Sequence, residues 1–225
     1  MKSFPPVSAL RKPARLLTLL ASLSLAWGLD HAQAVAFGNL NVTPRGAQNL
    51  NLETGYTELP QGGTATDAKG GLTLNAQKMQ LRPGERLVAQ NAVLKTRQGG
   101  TLNAAQLTYD LKSGTVTATG GVTYSDARIQ SLQAPGLVLY VGSGFVVASG
   151  GVKAASPAMT GAALVFDPQT MQAVVSGPFD LQTRLGRSAG KAGERLLLTF
   201  AGNVLTGATA KPTTDDLARF SAYLK

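Results

Sequence analysis

The sequence predicts an all-β protein assembled from antiparallel hairpin repeats, and three observations predict it. One phrase recurs roughly every 25–30 residues, apolar residues alternate with a period of two inside each copy, and small-residue pairs stand at a fixed place in each copy. The clearest copy is LTYDLKSGTVTATGGVTY, residues 107–124. Its neighbours are LNAQKMQLRPGERLVAQNAVLKT (74–96), APGLVLYVGSGFVVASGGVKA (134–154) and GAALVFDPQTMQAVVSGPFDL (161–181), with a fainter LTFAGNVLTG at 198–207. Aligned on the residue after the small pair, the copies fall at Val93, Val122, Val152, Phe179 and Val204.

In chain order, residues 1–34 read as an export signal. Lys2, Arg11, Lys12 and Arg15 form a basic head, Leu16 to Trp27 an apolar run, and Ala32-Gln33-Ala34 a small-residue cleavage site before Val35. A helix over Leu16 to Trp27 would reach about 18 Å, short of a hydrocarbon core of about 30 Å. Export to the periplasm or cell envelope is therefore expected. Residues 35–70 form a leader rich in Gly, Thr and Asn that either adds the first strands or stays irregular.

Residues 71–210 hold the repeats. In each, an alternating strand, a turn (RPGE, LKSG, VGSG, DPQT) and a second alternating strand follow one another. Val and Thr suit such strands because a β-branched side chain has few rotamers to lose on a pleated surface. The pairs Gly120-Gly121, Gly150-Gly151, Ser176-Gly177 and Gly202-Asn203 are expected to close each second strand with a bulge or sharp bend, folding the sheet over at a fixed height. The third copy is apolar on both faces, at Leu137 to Tyr140 and Phe145 to Val147, so alternation alone does not say which side faces in. Residues 211–225 predict a short helix, from a cap-like Thr, acids in the first turn and Leu217, Phe220 and Leu224 on one face. That helix is expected to cover one open end of the strands. The other end, left uncovered, is expected to support weak end-to-end self-association.

The composition excludes several chemistries. His31 and Trp27, the single His and Trp, lie in the segment to be removed, and there is no Cys. The mature chain then offers neither imidazole nor thiol for nucleophilic catalysis or for Cys/His metal sites, and no cofactor is expected. An enzyme reading would rest on carboxylates such as Asp110 and Asp167, which sit where an Asp bonds turn amides. The net charge of the whole chain is +9, and the excess survives cleavage because residues 1–34 hold four of the basic residues and one of the acidic ones. The bases are scattered and not interleaved with aromatics, so nucleic acid is not an expected partner. A solvated surface and an anionic partner both remain open.

The phrase Ala-x-x-Leu-x-Tyr-Asp, a Gly turn, and a strand ending Ala-x-Gly-Gly-Val or Ala-Gly-Asn-Val is carried by Ala104 to Asp110 with Val116 to Val122, by Leu164 to Asp167, and by Ala201 to Val204. Over residues 74–207 it resembles the repeat of the OstA/LptA type, the periplasmic lipopolysaccharide-transport family once called organic solvent tolerance proteins. The resemblance implies an open antiparallel β-jelly roll whose interior receives acyl chains, with envelope-assembly proteins as partners and subunits able to join end to end. The first copy departs from the phrase at Gln77 to Arg82, and the fifth lacks a clear first strand. On this reading a lipid-binding groove, for an anionic, lipopolysaccharide-like amphiphile, is lined by Leu107, Tyr109, Val116, Ala118, Val122, Leu139, Val146, Leu164, Phe166 and Val175. The alternative is a structural or adhesive envelope protein with a filled core and no ligand.

Overall fold

The computed structural model describes residues 35–37, 40–184 and 186–224. The expected export signal, its cleavage site, Trp27 and His31 lie outside the described residues. The strands are β1 (Val35–Phe37), β2 (Leu40–Pro44), β3 (Asn49–Asn51), β4 (Tyr56–Leu59), β5 (Gly63–Asp67), β6 (Leu72–Arg82), β7 (Arg86–Thr96), β8 (Thr101–Asp110) and β9 (Thr115–Ser125). They continue with β10 (Leu132–Tyr140), β11 (Val146–Ala154), β12 (Ala158–Asp167), β13 (Gln172–Ser176), β14 (Phe179–Thr183), β15 (Gly186–Gly190), β16 (Arg195–Ala201) and β17 (Val204–Thr209). All are antiparallel and hydrogen-bonded into one continuous sheet.

The sheet is doubled over. Within the long strands β6 to β11, alternation runs for about half the strand, breaks, and resumes, out of phase by one residue in β6, β7, β8 and β10. Buried positions run Leu72, Leu74, Ala76 and then Met79, Leu81 in β6, and Leu102, Ala104 and then Leu107, Tyr109 in β8. In β9 the step is longer, from Ala118 to Val122, across the exposed pair Gly120-Gly121. Both glycines have positive φ (79° and 70°), and β9 there carries one residue more than each neighbour needs. Gly150-Gly151 does the same in β11. The expected bulges are present at these two pairs, and the break passes through every long strand at the same height.

The line of slips divides the sheet into two leaves. Leaf A runs β1, β2, β5, then the halves of β6 to β12 around Leu72, Leu94, Leu102, Val122, Leu132, Val152 and Met159, and ends in β14 and β15. Leaf B runs β3, β4, then the other halves around Leu81, Leu87, Leu107, Val116, Leu139, Val146 and Phe166, and ends in β13, β16 and β17. The inner faces of both leaves form one apolar cluster from Leu40 to Phe200. This is an open antiparallel β-jelly roll with a short C-terminal helix. The leader, residues 35–70, supplies five of its strands, β1 to β5.

Three expectations need correction. The small pair of the fifth copy, Gly202-Asn203, closes no second strand. It is the turn between β16 and β17, because β16 pairs in register with β13 as a leaf B strand, and Val204 beyond it is 65% exposed. In the first copy the inward residue is Ala92, not Val93, because one left-handed Asn91 (φ 49°) stands where the later copies have two glycines, and the phase moves by one.

The helix also has a different place. The α-helix α1 (Thr214–Leu217) and the 3-10 turn Ala218–Phe220 lie on the outer face of leaf B and not over an end. Thr213 and Asp216 form a capping box, yet a single turn is unstable alone, so packing holds it. Phe220 is wholly buried against Phe145, Val165, Val174 and Leu197, Tyr223 stacks on Phe145 with centroids 4.4 Å apart, and Arg219 pairs at 3.2 Å with buried Asp167. This accounts for the two-faced apolar third copy: one face meets leaf A and the other meets this segment.

Candidate functional site

The ten residues assigned to a groove are all buried on the inner face. Nine of them, Leu107, Tyr109, Val116, Ala118, Leu139, Val146, Leu164, Phe166 and Val175, are cross-strand neighbours in leaf B. Val122 lies in leaf A. Sequence reasoning therefore found one wall and missed the one opposite, which is built by Leu40, Val42, Ala65, Leu72, Leu74, Leu94 and Leu102. The resumed alternation after each slip was the available signal for it. Leu40, Ala65, Leu72, Leu74 and Leu94 face Leu87, Leu107, Tyr109 and Val116 across a space of about 10 Å³, no more than one water needs.

On the side away from the slips the leaves meet through their turns, and there the sheet gapes. A cleft of about 600 Å³ is lined by the leaf A turns around Lys69 and Arg97 and the leaf B turns around Lys112 and Ser143. Its floor contains Asp67, Leu72 and Tyr109, which also line the interior space. The Tyr109 hydroxyl, from leaf B, donates to Asp67 Oδ2, from leaf A, at 2.5 Å, and Asp67 Oδ1 accepts the Gly70 N–H at 2.8 Å. Burial first, and then this bond to a carboxylate, push the Tyr109 phenol well above the usual tyrosine range. A second link stands further along the mouth, where the Arg128 guanidinium lies 5.7 Å from the Phe166 ring centroid and pairs with Asp126 at 3.0 Å.

Of the cleft residues, sequence reasoning named Tyr109 and Leu139 but not the basic turns, although these share a pattern: Lys69-Gly70-Gly71, Arg97-Gln98-Gly99 and Lys112-Ser113-Gly114 each place a base one or two residues before a glycine. Asp110 accepts the amides of Ser113 and Lys112, which hold its carboxyl below the usual range. Asp167 accepts from Gln169 N–H and the Thr170 hydroxyl. Both carboxylates are thus engaged in turn geometry. Among the described residues no helix is long and apolar enough to cross a membrane.

A doubled antiparallel sheet with an apolar interior and a polar mouth along its turns defines the jelly-roll class to which this fold belongs. No protein-family model matches the chain, and no curated protein matches it. Among solved structures it is similar to LptH, the LptA homologous periplasmic component of the conserved lipopolysaccharide transport device from Pseudomonas aeruginosa. That similarity has a TM-score of 0.44 and 12% identity, and covers 49% of this chain and 81% of that one.

Proposed function

We propose that the protein is an exported, non-enzymatic cell-envelope protein that binds an anionic, lipopolysaccharide-like amphiphile, its acyl chain held between the two leaves. One observation carries this reading. Both leaves present apolar side chains to each other along the whole stack, while the mouth between them is polar and held by few links. A bound chain would part the leaves and replace their mutual contacts. Each buried methylene stabilises by about 0.8 kcal/mol, and this gain acts against the cost of parting the leaves. Passive guidance of lipid between envelope-assembly proteins, with copies meeting through the terminal edge strands, fits such a device.

The narrowness of the interior, about 10 Å³, favours a second reading: a filled core in a structural or adhesive envelope protein. Photo-crosslinking separates the two. A crosslinker at Val116, which is buried, captures an amphiphile in cells, whereas one at Thr117, exposed on the opposite face, does not. Equal labelling from both positions, or from neither, overturns the lipid reading in favour of the filled core.

A further inference from the structure

We infer that the cleft at the mouth of the leaves is a binding site for a phosphorylated headgroup, with Lys69, Arg97 and Lys112 as its cationic rim. The inference rests on the lipid reading above and adds where the polar end sits and what chemistry recognises it.

The rim carries more positive charge than its surroundings neutralise. Ion pairs among the described residues join Arg82 and Lys112 to Glu85, Arg128 to Asp126, Arg187 to Asp180 and Arg219 to Asp167, which leaves Lys69 and Arg97 without one. The Arg97 guanidinium is held over the cleft by donating to the carbonyl oxygens of Ala68 and Lys69 at 3.2 and 3.3 Å, so its position is set while donors remain for a ligand. Lys112 contacts Glu85 at 3.4 Å, but its side chain is 69% exposed and the carboxylate is shared with Arg82, so the lysine swings into the cleft at little cost. The single carboxylate of the cleft, Asp67, already accepts from Gly70 and Tyr109 and lies in the floor.

The floor argues for an amphiphile over a free oxyanion. Leu72 and Tyr109 belong to the cleft and to the apolar interior at once, so a ligand anchored at the rim has its tail directed between the leaves. A free phosphate would find no such use for an apolar floor, and about 600 Å³ is far more room than it needs. A nucleic acid would find no platform of stacked aromatics.

Binding of three probes to the full mature chain tests this: myristoyl lysophosphatidic acid, the uncharged monomyristoyl glycerol, and inorganic phosphate. The phosphorylated lipid should bind at least about tenfold more tightly than the glyceride, and lose that preference as salt rises. The double variant Lys69→Gln/Lys112→Gln, with both side chains exposed and the urea midpoint expected to stay at the wild-type value, should lose about tenfold for the phosphorylated lipid and nothing for the glyceride. Equal binding of the two lipids, or a variant that retains the preference, overturns the headgroup site and leaves the lipid reading standing. No binding of either lipid overturns both. Phosphate that displaces the lipid at the concentration where the lipid itself binds marks a site for free oxyanions and refutes the headgroup assignment.

Discussion

Replacing Tyr109 by Phe removes one oxygen and tests the link across the mouth. Tyr109 and Asp67 are each 6% exposed, and the bond between them is 2.5 Å long. The ring stays, so little packing is lost. What is lost is the donor to a buried carboxylate, an interaction with a net value of about 1.5–3 kcal/mol. Urea unfolding at neutral pH should therefore show a loss of about 2 kcal/mol, or roughly 4–8 °C in Tm for a domain of this size. The pH dependence supplies a second signature. The phenol's proton is held more tightly in the folded chain than at its ordinary value of 10.0, so its contribution is complete below pH 10 and is lost as pH rises beyond that. Tyr124, raised by burial and then by Asp126, titrates in the same window in both proteins and cancels in the difference. The advantage of wild type over Tyr109→Phe should be flat from neutral pH to about 10 and shrink above it. A variant as stable as wild type at pH 7, or a gap that does not change in alkali, would refute the argument.

Other outcomes follow from the same geometry. Phe220→Ala empties a fully buried site whose ring sits edge-on to Phe145 at 5.9 Å; the short helix should detach before the sandwich unfolds, seen as proteolysis within residues 212–224 and dye binding to the bared face of Phe145, Val165 and Leu197. An intact segment under protease would show that other contacts hold it. Gly120→Ala places a Cβ 2.9 Å from that of Ala105 on a backbone of positive φ, whereas Gly121→Ala meets nothing within 4 Å; calorimetry should find about 1 kcal/mol lost at Gly121 and clearly more at Gly120, and equal losses would deny the close approach. Asp216, held below its ordinary 3.8 by the Thr213 amide, stabilises the helix above that pH and stops doing so as pH falls through its lowered pKa, so helix docking in Asp216→Asn and wild type should differ at pH 7 and converge in acid.

Much of this protein was legible in its sequence because the informative signals are local. A period of two in Leu107, Tyr109, Val116 and Ala118 commits those side chains to one face of a strand, and LKSG or VGSG commits the chain to reverse. Paired glycines mark the bulges of β9 and β11 because only a residue without a Cβ takes positive φ twice in succession at no cost. One wall of the interior followed directly. The opposite wall did not, since a slip of one residue reverses every inward position beyond it, and in β6, β8 and β10 that slip occurs without a glycine pair to announce it. The place of the helix was likewise beyond sequence reading. Its apolar stripe says that it must be covered, but Phe145, Val165, Val174 and Leu197, which cover it, come from the turn before β11 and from β12, β13 and β16, spread over more than fifty residues. The cleft is of the same kind: Asp67 and Tyr109 meet, and Lys69 and Arg97 share a rim with Lys112, because two leaves close over one another. Which turns then stand together depends on how the halves of the sheet stack, and no window along the chain contains that information.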